Sequence, residues 1–105
     1  MMIHKDKCFE LGLPEPKSFD TQLAYILKVI TLGMSINTRD ARYIGIHNLH
    51  SIPPKLHKKG YPYTLEHGRV NCPFTGKIPS NPVDILSMTP EQISNYQKTK
   101  TAKKG

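Results

Sequence analysis

The spacing of apolar residues changes at Gly60, and that change decides the fold class. Before it, Leu23, Ile26, Leu27 and Ile30 recur at i, i+3, i+4 and i+7, which lays an apolar stripe along one helix face. After it, Tyr61 to Glu66 and Arg69 to Cys72 read as extended segments around a His67-Gly68 turn. Helices first and a hairpin afterwards predict an α+β domain. With 105 residues, 37% of them hydrophobic and no Trp, the chain has room for one small core. A cofactor cleft between two lobes is excluded on that ground.

Local signals divide the chain into three parts. Residues 1–17 hold Gly12, Pro14 and Pro16 and no sustained period, and are expected to form an N-terminal arm, with Phe9, Leu11 and Leu13 packing back. Residues 18–97 form the domain. Its first helix starts at a Ser18 or Asp20 cap and stops at Gly33. A second, short helix runs from an Asn37 or Thr38 cap to Gly45, with Asp40 in the first turn and Ala41, Ile44 and Ile46 as its apolar positions.

The third helix lies in Asn48 to Lys59, where Leu49, Ile52 and Leu56 share one face. Pro53-Pro54 sits inside that stretch and is tolerated only in a first turn, so Ser51 is expected to cap a helix from Ile52 to Lys59, ending at Gly60. Pro73 to Pro82 is a loop, and Val83 to Met88 a third short strand. Thr89, Pro90 and Gln92 open a last helix through a capping box, with Ile93 and Tyr96 as its contact face. Residues 98–105, with four lysines and no large apolar side chain, are expected to be a disordered basic tail and a nonspecific electrostatic anchor.

The charge is unevenly placed. Fifteen Lys and Arg against eight Asp and Glu give a net +7, which favours an anionic partner, nucleic acid first. Residues 47–69 alone carry +3, from Lys55, Lys58, Lys59 and Arg69 against Glu66, and hold His47, His50, His57 and His67. Phosphate contacts need such a stripe, because each one releases counterions from the duplex.

Several chemistries find no support. Cys8 and Cys72 make no CxxC unit and are read as free thiols of a reducing cytoplasm. Met1 to Leu13 lacks the apolar core of a signal peptide, and the stretch from Leu23 to Ile36 is too short and too interrupted to span a bilayer. His47, His50 and Cys72 match no four-ligand zinc spacing, so no metal and no cofactor is expected. No P-loop, GxGxxG, HExxH or GxSxG is present and the carboxylates stand singly. The expectation is a protein that is not an enzyme.

Three short helices followed by an antiparallel hairpin is the order of a winged helix-turn-helix, whose third helix enters the major groove. Ala41 and Gly45 supply the small residue and the turn glycine that the crossing of the second and third helices needs. Three segments carry a resemblance: Thr21-Gln-Leu-Ala-Tyr-Ile-Leu, Gly33-Met-Ser-Ile-Asn-Thr-Arg-Asp-Ala and Pro54-Lys-Leu-His-Lys-Lys-Gly-Tyr-Pro. Together they resemble the small winged-helix DNA-binding proteins of bacteriophages and integrated mobile elements, over about residues 20–70. The chain departs from that family at Pro53-Pro54, where the family carries an uninterrupted arginine-rich helix, and in the longer proline-rich loop of residues 73–88.

The resemblance implies a sequence-specific double-stranded DNA-binding protein, a transcriptional regulator or an excisionase-type architectural factor, acting as monomer or homodimer. The third helix, with His47, Asn48, Ser51, Lys55, His57, Lys58 and Lys59, is expected to meet the major groove. Arg39 and Arg42 would touch the backbone beside it. Arg69 and Lys77 on the hairpin would lie along the minor groove. A second expectation is a host-takeover protein that presents the same basic surface to a host polymerase or nuclease and inhibits it. An RNA-binding module is a third, weakened because the aromatic residues form no run suited to base stacking.

Overall fold

The computed structural model describes residues 3–17 and 21–104, with side chains through Lys98. It is an α+β fold of five α-helices and a three-stranded antiparallel sheet. In chain order these are α1 (Lys5–Glu10), α2 (Gln22–Thr31), β1 (Ile36–Asn37), α3 (Thr38–Tyr43), a 3₁₀ turn (Leu49–Ser51), α4 (Ile52–Lys58), β2 (Thr64–Gly68), β3 (Val83–Ser87) and α5 (Pro90–Lys104). No helix among the described residues is long and apolar enough to cross a membrane.

The expected arm is a folded element. Its helix α1 buries Cys8, Ile3 is buried just before it, and Leu11 and Leu13 pack on the core. The His4 amide donates to the Ile44 carbonyl at 2.7 Å, so the segment is hydrogen-bonded to the end of α3. One buried position per turn leaves no periodic trace, which is why composition alone reads as an arm. Phe9 does not pack back as expected: it is 84% exposed.

Helix α2 is the centre of the core. Thr21 caps it, its hydroxyl oxygen accepting from the Ala24 amide at 3.0 Å. The expected caps, Ser18 and Asp20, lie outside the described residues. The buried face is Tyr25, Ile26, Val29 and Ile30, with Leu23 and Leu27 only half-buried, so the stripe is rotated towards Tyr25. Tyr25 repays its burial through a hydrogen bond from its hydroxyl to the Pro14 carbonyl. Asn37 caps α3, accepting from the Asp40 amide at 2.9 Å and donating to the Asp40 carboxylate at 3.0 Å. Ala41, Ile44 and Ile46 are buried beneath the turn to the 3₁₀ segment. Gly45 makes that turn at φ 107°, a backbone open in practice only to glycine.

The sheet differs from the expected hairpin. Its order is β1-β3-β2, with Thr64 opposite Ser87, Gly68 opposite Val83 and Ile36 opposite Leu86. His67 and Gly68 are therefore strand residues and not a turn, and Arg69 to Cys72 is loop. Pro73 has no N–H with which to continue a ladder, whereas Val83, Ile85 and Leu86 give β3 the apolar content of a central strand. Strand β1 was not signalled in the sequence; two residues are too few for any period. Ile36 and Leu86, opposite each other and fully buried, form the sheet's inner face against α2.

Helix α5 opens with the expected capping box: the Gln92 amide donates to Thr89 Oγ1 at 3.1 Å and the Thr89 amide to Gln92 Oε1 at 2.9 Å. Gln92 also donates to the Tyr63 carbonyl at 2.9 Å, and Tyr96 meets Tyr61 edge to face at 4.9 Å. The backbone then stays helical to Lys104, so residues 98–104 do not form the expected unstructured tail. Lys, Gln and Ala are good helix formers, and a helix docked through its first turns needs no further apolar residue to continue.

Candidate nucleic-acid interface

Helix α4 has one apolar side and one basic side. Ile52, Pro53 and Leu56 are buried, and Pro54, Lys55, His57, Lys58 and then Lys59 are exposed. At 100° per residue the three buried positions span one arc, and Pro54 and Lys58 fall opposite it, flanked by His57 and Lys55. His47, Asn48 and His50, just before the helix, are exposed as well. No Asp or Glu occurs from Ala41 to Leu65. Among the described residues Lys55, Lys58 and Lys59 take part in no ion pair, so their charge faces solvent.

Ser51 occupies the N-cap position but caps nothing. A capping oxygen accepts from the second or third amide of a helix, and those residues are Pro53 and Pro54, which have no N–H. The Ser51 hydroxyl donates instead to the Asn48 carbonyl at 2.7 Å, closing the 3₁₀ turn that leads into α4. The two prolines thus open the helix as expected, by a different device.

The arginines are not equivalent. Arg42 is exposed on α3. Arg39 is half-buried: its Nη2 donates to the Asn81 carbonyl at 3.4 Å, and its Nε is enclosed without a partner among the described residues. It joins α3 to the loop of residues 69–82. Arg69 is exposed, with Nε donating to the Pro79 carbonyl at 3.1 Å across the base of that loop, and Lys77 is exposed near its tip. The loop is folded and not trailing. The Cys72 amide donates to the Lys77 carbonyl at 2.8 Å, the Gly76 amide to the Cys72 carbonyl at 2.7 Å, and Phe74 packs edge to face on Tyr43 at 5.0 Å. His47 to Lys59 therefore forms one exposed basic surface, while Arg39, Arg69 and Lys77 belong to the loop. His50 and Pro54, inside the expected groove-reading stretch but not among its named contact residues, are exposed as well. Their signal was their position between the buried Leu49, Ile52 and Leu56.

Both cysteines are free and buried, but their thiols differ. Burial pushes the Cys8 thiol up, opposed by its hydrogen bond with Tyr25. For Cys72 burial also pushes upward, yet the Thr75 and Phe74 amides, the Thr75 hydroxyl and the positive charge of Arg39 outweigh it, and the thiol is lowered. Alkylation follows thiolate population and access. Iodoacetamide is expected to modify Cys72 first and Cys8 only on unfolding. Mass spectrometry of timed digests checks the order, and equal rates at both sites would contradict it.

No protein-family model, curated protein or solved structure matches this chain.

Proposed function

We propose that the protein binds double-stranded DNA sequence-specifically as a winged helix-turn-helix, in the manner of the regulators and excisionase-type factors of phages and mobile elements. One observation carries the reading: the whole exposed side of α4 is Lys, His and Pro within a stretch that contains no acidic residue. The element order supports it. In chain order α2, α3 and α4 precede the antiparallel pair β2 and β3, which is the order of that architecture, and residues 69–82 would then serve as the wing. The short β1 joins the same sheet beside β3. Lys55, Lys58 and Lys59 then neutralise phosphates while His47, Asn48 and His57 reach towards base edges.

Selection from random duplexes tests the proposal, followed by titration of the enriched duplex from about 50 to about 200 mM salt. Enrichment of one motif, with log affinity falling linearly against log salt, is the expected result. A failure to bind any duplex at low salt removes the reading. Salt-tolerant binding to a purified host polymerase or nuclease would then point to the inhibitor role. The symmetry of an enriched motif also reports whether one copy or two engage the site.

A further inference from the structure

We infer that the surface from His47 to Lys59 takes up protons as it binds duplex DNA, so that His47, His50 and His57 make its grip depend on pH. The inference rests on the DNA-binding reading above and adds the regulation of that same surface. Three of the chain's five histidines fall in this one stretch, and all three are exposed. His57 precedes Lys58 on α4, and His50 lies in the 3₁₀ turn that leads into the helix. No acidic residue occurs from Ala41 to Leu65, so the stretch has no carboxylate of its own to pair with them. His67 is the contrast: its Nε2 lies 2.8 Å from the Asp84 carboxylate, its neighbour across the β2–β3 pair. The elements packed against the stretch keep their carboxylates in use. Helix α3 brings Arg39, Asp40, Arg42 and Tyr43, and Asp40 is half-buried and bonded to Asn37. The start of α1, joined to Ile44 through the His4 amide, brings His4, Lys5, Asp6, Lys7 and Glu10. Glu10 accepts from the Tyr43 hydroxyl at 2.6 Å, and Lys5 pairs with Glu15. Across α1 and α3 four Lys or Arg oppose three Asp or Glu, which leaves no acidic surplus beside the histidines. Tyr61, whose amide donates to the Leu56 carbonyl, is the titratable group just after α4.

The partner supplies what the fold withholds. A protonated imidazole on this surface stands among lysines in the free protein and among phosphates on the duplex. Imidazole as a class changes charge between about pH 5 and 8, and an adjacent anion favours the charged form. Each histidine that gains a proton on the duplex gives the surface one more cation to set against a phosphate. Affinity therefore rises as pH falls through that window, and the gain is lost as the imidazoles discharge above it. The added charge also releases counterions, so the salt dependence steepens in acid by about 0.9 for each phosphate newly matched.

The test titrates the full chain onto a rhodamine-labelled duplex of about 30 base pairs, at about pH 5.5 and about pH 7.5 and at several salt concentrations. Wild type is expected to bind at least about tenfold more tightly at the lower pH, with a steeper salt slope there. His47→Gln/His50→Gln/His57→Gln should bring the two affinities to within about twofold of each other, whatever their absolute level. His47→Arg/His50→Arg/His57→Arg should lose the pH response too, but with the steep salt slope kept at both pH values. Two variants that abolish the response while moving the slope in opposite directions separate charge from a merely structural role. Calorimetry at about pH 6.5 in two buffers of different ionisation heat counts the protons, with about one to three expected for wild type and none for the triple Gln chain. Thermal melts at each pH confirm that every chain is folded. Equal wild-type affinity at both pH values, or a response kept by the triple Gln chain, overturns the inference and leaves the DNA-binding reading standing. Loss of the response in His67→Gln alone would move it to the sheet and overturn the inference in the same way. Absence of duplex binding by wild type at either pH overturns both.

Discussion

Replacing Lys55, Lys58 and Lys59 together by Ala is expected to lower duplex affinity at least tenfold and to flatten its salt dependence. Each phosphate contact contributes about 0.9 to the slope of log affinity against log salt, so three lost contacts reduce it by roughly 2.7. The side chains are exposed and outside any ion pair among the described residues, so the melting temperature should barely move. Anisotropy titrations at several salt concentrations give both numbers. A lower affinity with an unchanged slope would mean the lysines act through something other than phosphate, and an unchanged affinity would remove α4 from the interface. Arg39→Ala makes the contrast: Arg39 is half-buried and tied to Asn81, so its loss should disturb the loop and stability more than the salt slope.

The largest effect on stability is expected from Leu56→Ala. Leu56 is fully buried on the inner side of the same helix, packed with Ile52 and Leu49. Truncation of such a side chain costs about 2–5 kcal/mol, from lost burial and the cavity left behind. In a domain of this size each kcal/mol moves the midpoint by roughly 4–8 °C, so a drop of at least about 8 °C should appear in a thermal melt. Helix α4 has only seven residues, too short to hold itself, so its orientation depends on this inner side. DNA affinity measured well below the midpoint should fall too, with the salt slope nearly kept because the lysines remain. A Leu56→Ala protein as stable as wild type would show that α4 is not seated on the core as described.

The two substitutions separate what α4 does from how it is held. Lys58 and Leu56 are two residues apart and face opposite ways, one towards solvent and one towards the buried core.

Much of this was legible in the residues, and the legible part has a common cause. Where an element is set by neighbours within four positions, the sequence carries the signal. The apolar stripe of α2, the Gly33 and Gly60 stops, the Asn37 cap with Asp40, the Thr89–Gln92 capping box and the prolines that open α4 are all local, and all are present. The basic stretch from His47 to Lys59 is local in the same sense, since the buried Leu49, Ile52 and Leu56 dictate which residues between them face water.

Tertiary structure alone decided the rest, because those choices depend on partners far along the chain. Strand β2 pairs with Val83–Ser87 and not with the nearer Arg69–Cys72, a choice between two ladders that no short window contains. Strand β1 exists because Ile36 and Asn37 find Leu86 and Ile85 across the sheet. Residues 3–13 are folded because Ile44 offers His4 a carbonyl and the core accepts Ile3 and Cys8. Arg39, a cation like Lys58 in composition, is committed to Asn81, while Lys58 is left to solvent. Charge and period determined that this chain would be a small α+β domain with a basic helix; the long-range hydrogen bonds and the shape of the core determined which cations remain free to meet a partner.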